Sequence, residues 1–192
     1  QWITEPSREA TNDLIQNPGV ACTLATGGPG LVKAAYSTGK PALGVGPGNG
    51  PVYIEETANI SRAVNDLVLS KTFDNGMICA TENSAVIDAS IYDDVKEQLS
   101  LNRVYFIPDN EKQLTDAMFD STRLSVKGPI AGATAQQIAD MAGIKVPKDT
   151  QVLAVEMTGI GPKYPMSGEK LSPVISVYKS KNHEDAFKIV AK

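Results

Sequence analysis

The chain has 192 residues, 42% of them hydrophobic, with 18 basic and 22 acidic side chains for a formal net charge of −4. That length buries a substantial core, one ordinary domain or slightly more, and the acidic balance leaves no electrostatic footprint for nucleic acid or an anionic membrane. No apolar run approaches the roughly 18 residues that span a bilayer, and no signal peptide precedes the first helical pattern. Cys22 and Cys79 form neither a metal-ligand nor a Cys-x-x-Cys pattern, so a reducing cytoplasm is the expected location.

In chain order, Val20 to Ala25 is a short apolar run, followed by the turn Gly27-Gly28-Pro29-Gly30. Leu31 to Ser37 then has helical character, with Gly39 as its C′ residue, and Pro41 to Val45 reads as a second strand. Ile60, Ala63, Val64, Leu67 and Val68 recur at the spacing of one buried helix face, and Asn59 is the N-cap candidate. Asp74, Asn75 and Gly76 break that helix, since all three tolerate turn geometry. Ser84 to Ala89 is the next strand, Ser90 to Leu101 a helix with Val95 and Leu99 four apart, and Val104 to Ile107 another strand. Asp109 is positioned to cap a helix running to Phe119, and Thr134 one over Ala135 to Ala142 that ends at Gly143. Val152 to Val155 and Val174 to Tyr178 complete the strands, and Asn182 opens a final helix. Strands alternating with helices of about ten residues predict an α/β fold with a largely parallel, covered sheet. The opening on Gln1 and the uncapped end at Lys192 suggest a processed chain or a fragment.

Three features carry chemistry. Cys79 follows the Asp74-Asn75-Gly76 break, where rigid backbone presents a sulfur to a cleft; the competing reading is an inert core thiol. The turn at Thr26-Gly27-Gly28-Pro29-Gly30 lets backbone N–H groups approach an anion at the positive end of a helix. It lacks the Gly-x-Gly-x-x-Gly spacing, so a purely structural turn stays open. Residues 44–51 form a second glycine cluster, which either allows close approach of a ligand to a strand end or is a simple loop.

Together these segments resemble the aldehyde dehydrogenase superfamily, in particular its CoA-acylating branch and the aldehyde dehydrogenase half of the bifunctional aldehyde–alcohol dehydrogenases. The resemblance rests on ATGGPGLVKAAYSTGKPALGVG (25–46), PGNGPVYI (47–54), SKTFDNGMICA (70–80) and EKLSP (169–173), in that order and spacing. It implies an aldehyde dehydrogenase-like catalytic domain, over residues 46–192, preceded by the last strand–helix–strand of a Rossmann-like NAD-binding domain, over residues 1–45.

The resemblance assigns Cys79 as the nucleophile that forms a thiohemiacetal and then a thioester. Hydrolytic members place a glutamate base where this chain has Val45. Water needs such a base, whereas a thiol, ionising near pH 8 to 9, needs far less help; the resemblance therefore implies acyl transfer to CoA. Glu169 matches the glutamate that accepts hydrogen bonds from the nicotinamide ribose. Thr26, Gly27 and Gly28 match the turn against the cofactor, although Gly28 replaces the usual hydroxyl residue, and Gly46 matches a backbone position near the nicotinamide. His183 is expected on the surface of the last helix, and Cys22 in the core. The implied ligands are NAD, CoA as co-substrate and a short aldehyde, acetaldehyde being the family expectation, with no metal and a homo-oligomeric whole protein. The family's oxyanion-hole asparagine and active-site histidine fall outside these 192 residues, so the isolated chain is expected to be inactive. Other readings stay open here: a non-catalytic nucleotide-binding or scaffold module, a cysteine hydrolase or acyltransferase with His183 as its partner, and, within the family, hydrolytic chemistry giving free acid or phosphorylating chemistry.

Overall fold

The computed structural model describes residues 2–108, 111–120 and 125–191. The chain divides into two compact units, Gln1–Pro47 and Gly48–Lys192.

In the first unit, α1 (Arg8–Gln16) is capped by Ser7, whose side chain accepts from the Ala10 N–H at 3.0 Å. β1 (Thr23–Thr26) and β2 (Ala42–Val45) pair in parallel, and α2 (Pro29–Tyr36) crosses between them. Gly44 is forced to be glycine by this crossover, because a Cβ there would lie 2.5 Å from Val32 and 2.8 Å from the Tyr36 ring. The expected strand begins three residues late, and Cys22 is exposed rather than buried. Ahead of β1 the chain turns, with Val20 N–H bonded back to Asn17, so Cys22 never enters the sheet.

The second unit is built on a five-stranded sheet in the order β3-β4-β7-β6-β5: β3 (Gly50–Ile54), β4 (Glu82–Asp88), β5 (Val104–Phe106), β6 (Val152–Glu156) and β7 (Val174–Ser180). Every pairing is parallel. Parallel strands buried on both faces read as nearly continuous apolar runs, and β4 and β7 do so because their successive side chains feed two cores. Val86, Leu153, Val155, Val174 and Tyr178 point to one; Ala85, Ile87, Ala154, Ile175 and Val177 point to the other.

The second face is covered by α3 (Ile60–Thr72) and α4 (Tyr92–Leu101), which bury Val64, Leu67, Val95 and Leu99. The first face is covered by α5 (Glu111–Met118), α6 (Ala135–Met141) and α7 (His183–Val190). The expected caps hold. Asn59 accepts from Arg62 N–H at 3.0 Å, Asn182 from Asp185 N–H at 3.0 Å, and Thr134 makes a reciprocal capping box with Gln137. Asp109, expected to cap α5, lies outside the described residues, as does Lys192.

β3 is the strand that sequence patterning does not reveal. Its Gly50-Pro51 start carries loop signals, and the register shifts there. Pro51 is accommodated because β3 is an edge strand, where a missing N–H need not break a ladder on both sides.

Candidate active site

Three neighbouring strands, β3, β4 and β7, bring together the loops that lead into them. These loops hold Gly48, Cys79 and Glu169 respectively, so the site sits at the amino ends of the strands. Open parallel sheets commonly bind ligands at the opposite, carboxyl edge.

Cys79 is exposed and occupies a turn closed by Thr81 N–H donating to Ile78 O at 2.9 Å. The preceding break is three consecutive left-handed residues, Asp74, Asn75 and Gly76, with φ of 48°, 49° and 67°. Only at Gly76 is glycine obligatory: a Cβ would fall 2.5 Å from Ser172 O and 3.0 Å from Lys71 O. The break is braced from outside by Asn75, whose amide donates to Gly132 O at 3.0 Å, while Gly132 N–H donates to Leu171 O at 2.9 Å. Leu171 itself has φ 45°, an unusual conformation for a bulky residue. Of the four described non-glycine residues in this region of φ, three therefore lie in the two loops carrying Cys79 and Glu169. Such backbone costs of order 1–3 kcal/mol per residue and persists where surrounding contacts over-determine it.

Gly48 joins the loops. Its N–H donates to Glu169 Oε1 at 3.0 Å, and a Cβ on it would sit 2.1 Å from the carbonyl oxygen of Cys79. The backbone of Gly48 thus lies close against the Cys79 peptide while fixing one carboxylate oxygen of Glu169. Among the described residues, Glu169 has no other hydrogen bond.

Beneath these loops lies a buried polar cluster. The Asn83 amide donates to Gly48 O at 3.4 Å and Thr81 O at 3.3 Å. Its Oδ1 accepts from the Lys170 backbone N–H at 3.0 Å and from Lys71 Nζ at 3.5 Å. Lys170 Nζ donates to Asn83 O at 2.8 Å and Gly168 O at 3.0 Å. Lys71 and Lys170 are 1% and 0% exposed, and among the described residues neither makes an ion pair. Burial lowers the Lys71 amine to about 8 despite the opposing pull of Glu82 and Glu169. Burial, and then the neighbouring Lys71, hold Lys170 well below the usual lysine range.

On the outer side, a mostly apolar open cleft of about 450 Å³ is lined by Leu69, Phe73, Ile78 and Ala80, with Asp66, Ser70 and Thr81. Ile78 and Ala80 are the two neighbours of Cys79 in the chain.

The structure brings Cys79 and Glu169 into one unit, linked through Gly48. Thr26, Gly27, Gly28 and Gly46 belong to the first unit. There Gly28 opens α2 with no side-chain cap, and nothing lies within 4 Å of where a Cβ would stand on Gly28, Gly30 or Gly46. His183 is exposed on α7, edge-on to Phe187 at 6.3 Å between ring centres. Gly48, Asn83, Lys71 and Lys170 escape sequence reasoning. Gly48 had a signal, the small-residue cluster at 44–51; the lysines had none, because lysine is almost never fully buried. Among the described residues no group of three or more His, Cys, Asp or Glu side chains is placed to hold a metal ion, and no helix is long and apolar enough to cross a membrane.

The sequence profile of the aldehyde dehydrogenase family matches residues 1–191. The chain is 49% identical over 195 aligned positions to aldehyde-alcohol dehydrogenase 2 of Entamoeba histolytica, covering 96% of this chain and 22% of that protein. Its structure superimposes on an acetylating aldehyde dehydrogenase from Geobacillus thermoglucosidasius with a TM-score of 0.94 and 46% identity, over 99% of this chain and 42% of that one. A propionaldehyde dehydrogenase of Rhodopseudomonas palustris, solved with bound CoA and an acylated cysteine, is similar at a TM-score of 0.87 and 32% identity, over 96% of this chain and 42% of that one. The chain belongs to the aldehyde dehydrogenase family. It spans about a fifth of the length of that curated relative and about two fifths of those solved structures.

Proposed function

We propose that this chain carries the nucleophile of an NAD-dependent, CoA-acylating aldehyde dehydrogenase acting on a short aldehyde. The observation that carries the reading is the exposed Cys79 on its braced turn, joined through the Gly48 backbone to Glu169 within a chain of this family. The similar Rhodopseudomonas palustris enzyme, with its CoA and acylated cysteine, supports both the nucleophile and the acceptor.

The residues present suit a dinucleotide. Glu169 has one oxygen held by Gly48 and the other open to accept from a ribose hydroxyl. The start of α2 offers approachable backbone at the positive end of a helix, with no hydroxyl at Gly28 to add to it. NAD, once bound, would supply the acceptor for the hydride released from the substrate carbon.

The Cys79 thiolate attacks the aldehyde carbon, forming a C–S bond and a thiohemiacetal oxyanion. Loss of hydride from that carbon restores the carbonyl and leaves an acyl thioester on Cys79. The CoA thiolate then adds to the thioester carbonyl, and Cys79 departs as thiolate. Overall, aldehyde, NAD⁺ and CoA yield acyl-CoA, NADH and a proton. Gly48 packs close against the Cys79 carbonyl, and Ile78 and Ala80, the chain neighbours of Cys79, line the apolar cleft with Leu69 and Phe73. The sequence resemblance sets Val45 in place of the glutamate base of hydrolytic members; valine cannot take a proton from water, which favours a thiol as the acyl acceptor.

The deciding experiment is an acceptor assay on the intact enzyme. Incubation with acetaldehyde and NAD should give acetyl-CoA with CoA present and little acetate without it. Accumulation of free acid at the same rate in both cases would refute the acylating assignment.

A further inference from the structure

We propose, resting on the acylating reading above, that Asn83 with the buried amines of Lys71 and Lys170 is the positioning hub that holds Glu169 and the Cys79 turn in register for the nucleotide. Three observations converge on it. Asn83 is four residues beyond Cys79, and its one amide contacts all three loops of the site: Gly48 O, Thr81 O and the Lys170 N–H. Both lysines reach the same residue, Lys71 at Oδ1 and Lys170 at the backbone carbonyl. Among the described residues neither amine is neutralised by a carboxylate in contact, although burying an ammonium in this way is costly. A purely structural core would fill this space more stably with apolar side chains.

The hub acts through others. Asn83 orients Gly48, whose N–H fixes Glu169 Oε1 and whose Cα abuts the Cys79 carbonyl. Lys71 is the hub's titrating member. The ionisable groups around it are Glu82 on β4, Glu169 on the loop before β7, and Lys170. Its ammonium makes a charge-assisted hydrogen bond to Asn83 Oδ1, stronger than the bond from the neutral amine. Because burial lowers this amine to about 8, the stronger bond is present below that pH and lost above it. Loosening of Asn83 then reaches Glu169, the expected ribose ligand. NAD affinity should fall as pH rises through about 8.

The test uses the intact enzyme and two readouts: calorimetric titration with NAD between pH 7 and 9.5, and the rate of Cys79 alkylation by iodoacetamide. Wild type should bind NAD about tenfold more weakly at the alkaline end, the difference between a charged and a neutral hydrogen bond. Lys71→Met should bind weakly and without the pH step. Asn83→Asp, which keeps the side chain's shape but places a carboxylate beside Lys71, should move the step to higher pH. Asn83→Ala should lower kcat/KM about a hundredfold, the cost of a small misplacement, and change the alkylation rate severalfold while circular dichroism stays native. If Asn83→Ala does not fold, Asn83→Asp and Lys71→Met decide. A wild-type pH step in Lys71→Met, or an unmoved step in Asn83→Asp, would overturn the hub. Should wild type bind no NAD, the dehydrogenase reading itself fails, and the alkylation rates of the folded Asn83 variants judge the hub: altered rates support it and unaltered rates end it.

Discussion

At the scale of single residues, the site depends on a few atoms with narrow tolerance. Cys79→Ser should reduce CoA-dependent aldehyde oxidation by roughly three orders of magnitude or more in steady-state assays, since the hydroxyl lacks a partner base to activate it. Gly48→Ala is a sharper structural test. Its methyl would meet the Cys79 carbonyl oxygen at 2.1 Å, a backbone atom that cannot swing aside. The variant should lose about a hundredfold in kcat/KM, because the displaced group is the peptide of Cys79, the proposed nucleophile. Cys79 and Glu169 stand out in the sequence because their surrounding motifs keep order and spacing, and the structure joins their loops through Gly48. Cys22 departs from the expected core position because its apolar neighbourhood suggests a strand interior, whereas the chain reaches β1 only at Thr23. Lys71 and Lys170 were invisible: composition places lysines in water, and only the three-dimensional contacts of Asn83 show why two are retained in the interior.

At the scale of elements, the helices announced themselves through caps. Asn59, Thr134 and Asn182 each offer a side-chain oxygen where backbone donors have no helical partner, and all three are used. α1 has a comparable signal at Ser7, but its apolar stripe is thin, with Ile15 its one buried residue, so periodicity alone does not reveal it. β3 was hidden by its own Gly-Pro start, which denotes a turn everywhere except at the edge of a sheet. The left-handed break after α3 was anticipated from residue type, but the reason it holds is tertiary. Asn75 is tied to Gly132, and Gly76 is pressed against the Ser172 carbonyl. Gly76→Ala should therefore destabilise the fold by about 2 kcal/mol or more, combining unfavourable φ with a backbone clash. A lowered urea midpoint with unchanged slope is the expected result.

At the scale of the whole molecule, the buried amines leave a mark on stability. Lys71 ionises near 10.5 when free and near 8 when folded. The unfolded chain therefore binds more protons between these values, and stability must rise as pH climbs from about 8 to 10.5. Below 8 both states are protonated and the full penalty applies, of order 3 kcal/mol for a shift of this size. Lys71→Met should flatten that rise and raise the urea midpoint at pH 7, a gain in stability accompanied by weaker NAD binding. Denaturation curves at pH 7 and 10 would detect both changes.

The placement of the site at the amino ends of β3, β4 and β7 has a consequence for how the protein comes into being. The hydrogen bond from Gly48 to Glu169 spans 121 residues of chain. Such long-range closure is slow, because loop entropy must be overcome before the contact repays it. During synthesis the Cys79 thiol leaves the ribosome well before the strand that completes its cradle has been made. For that interval its turn lacks the Gly132 carbonyl that Asn75 will bond and the Ser172 carbonyl that will press on Gly76, so the sulfur is present before the backbone that fixes it.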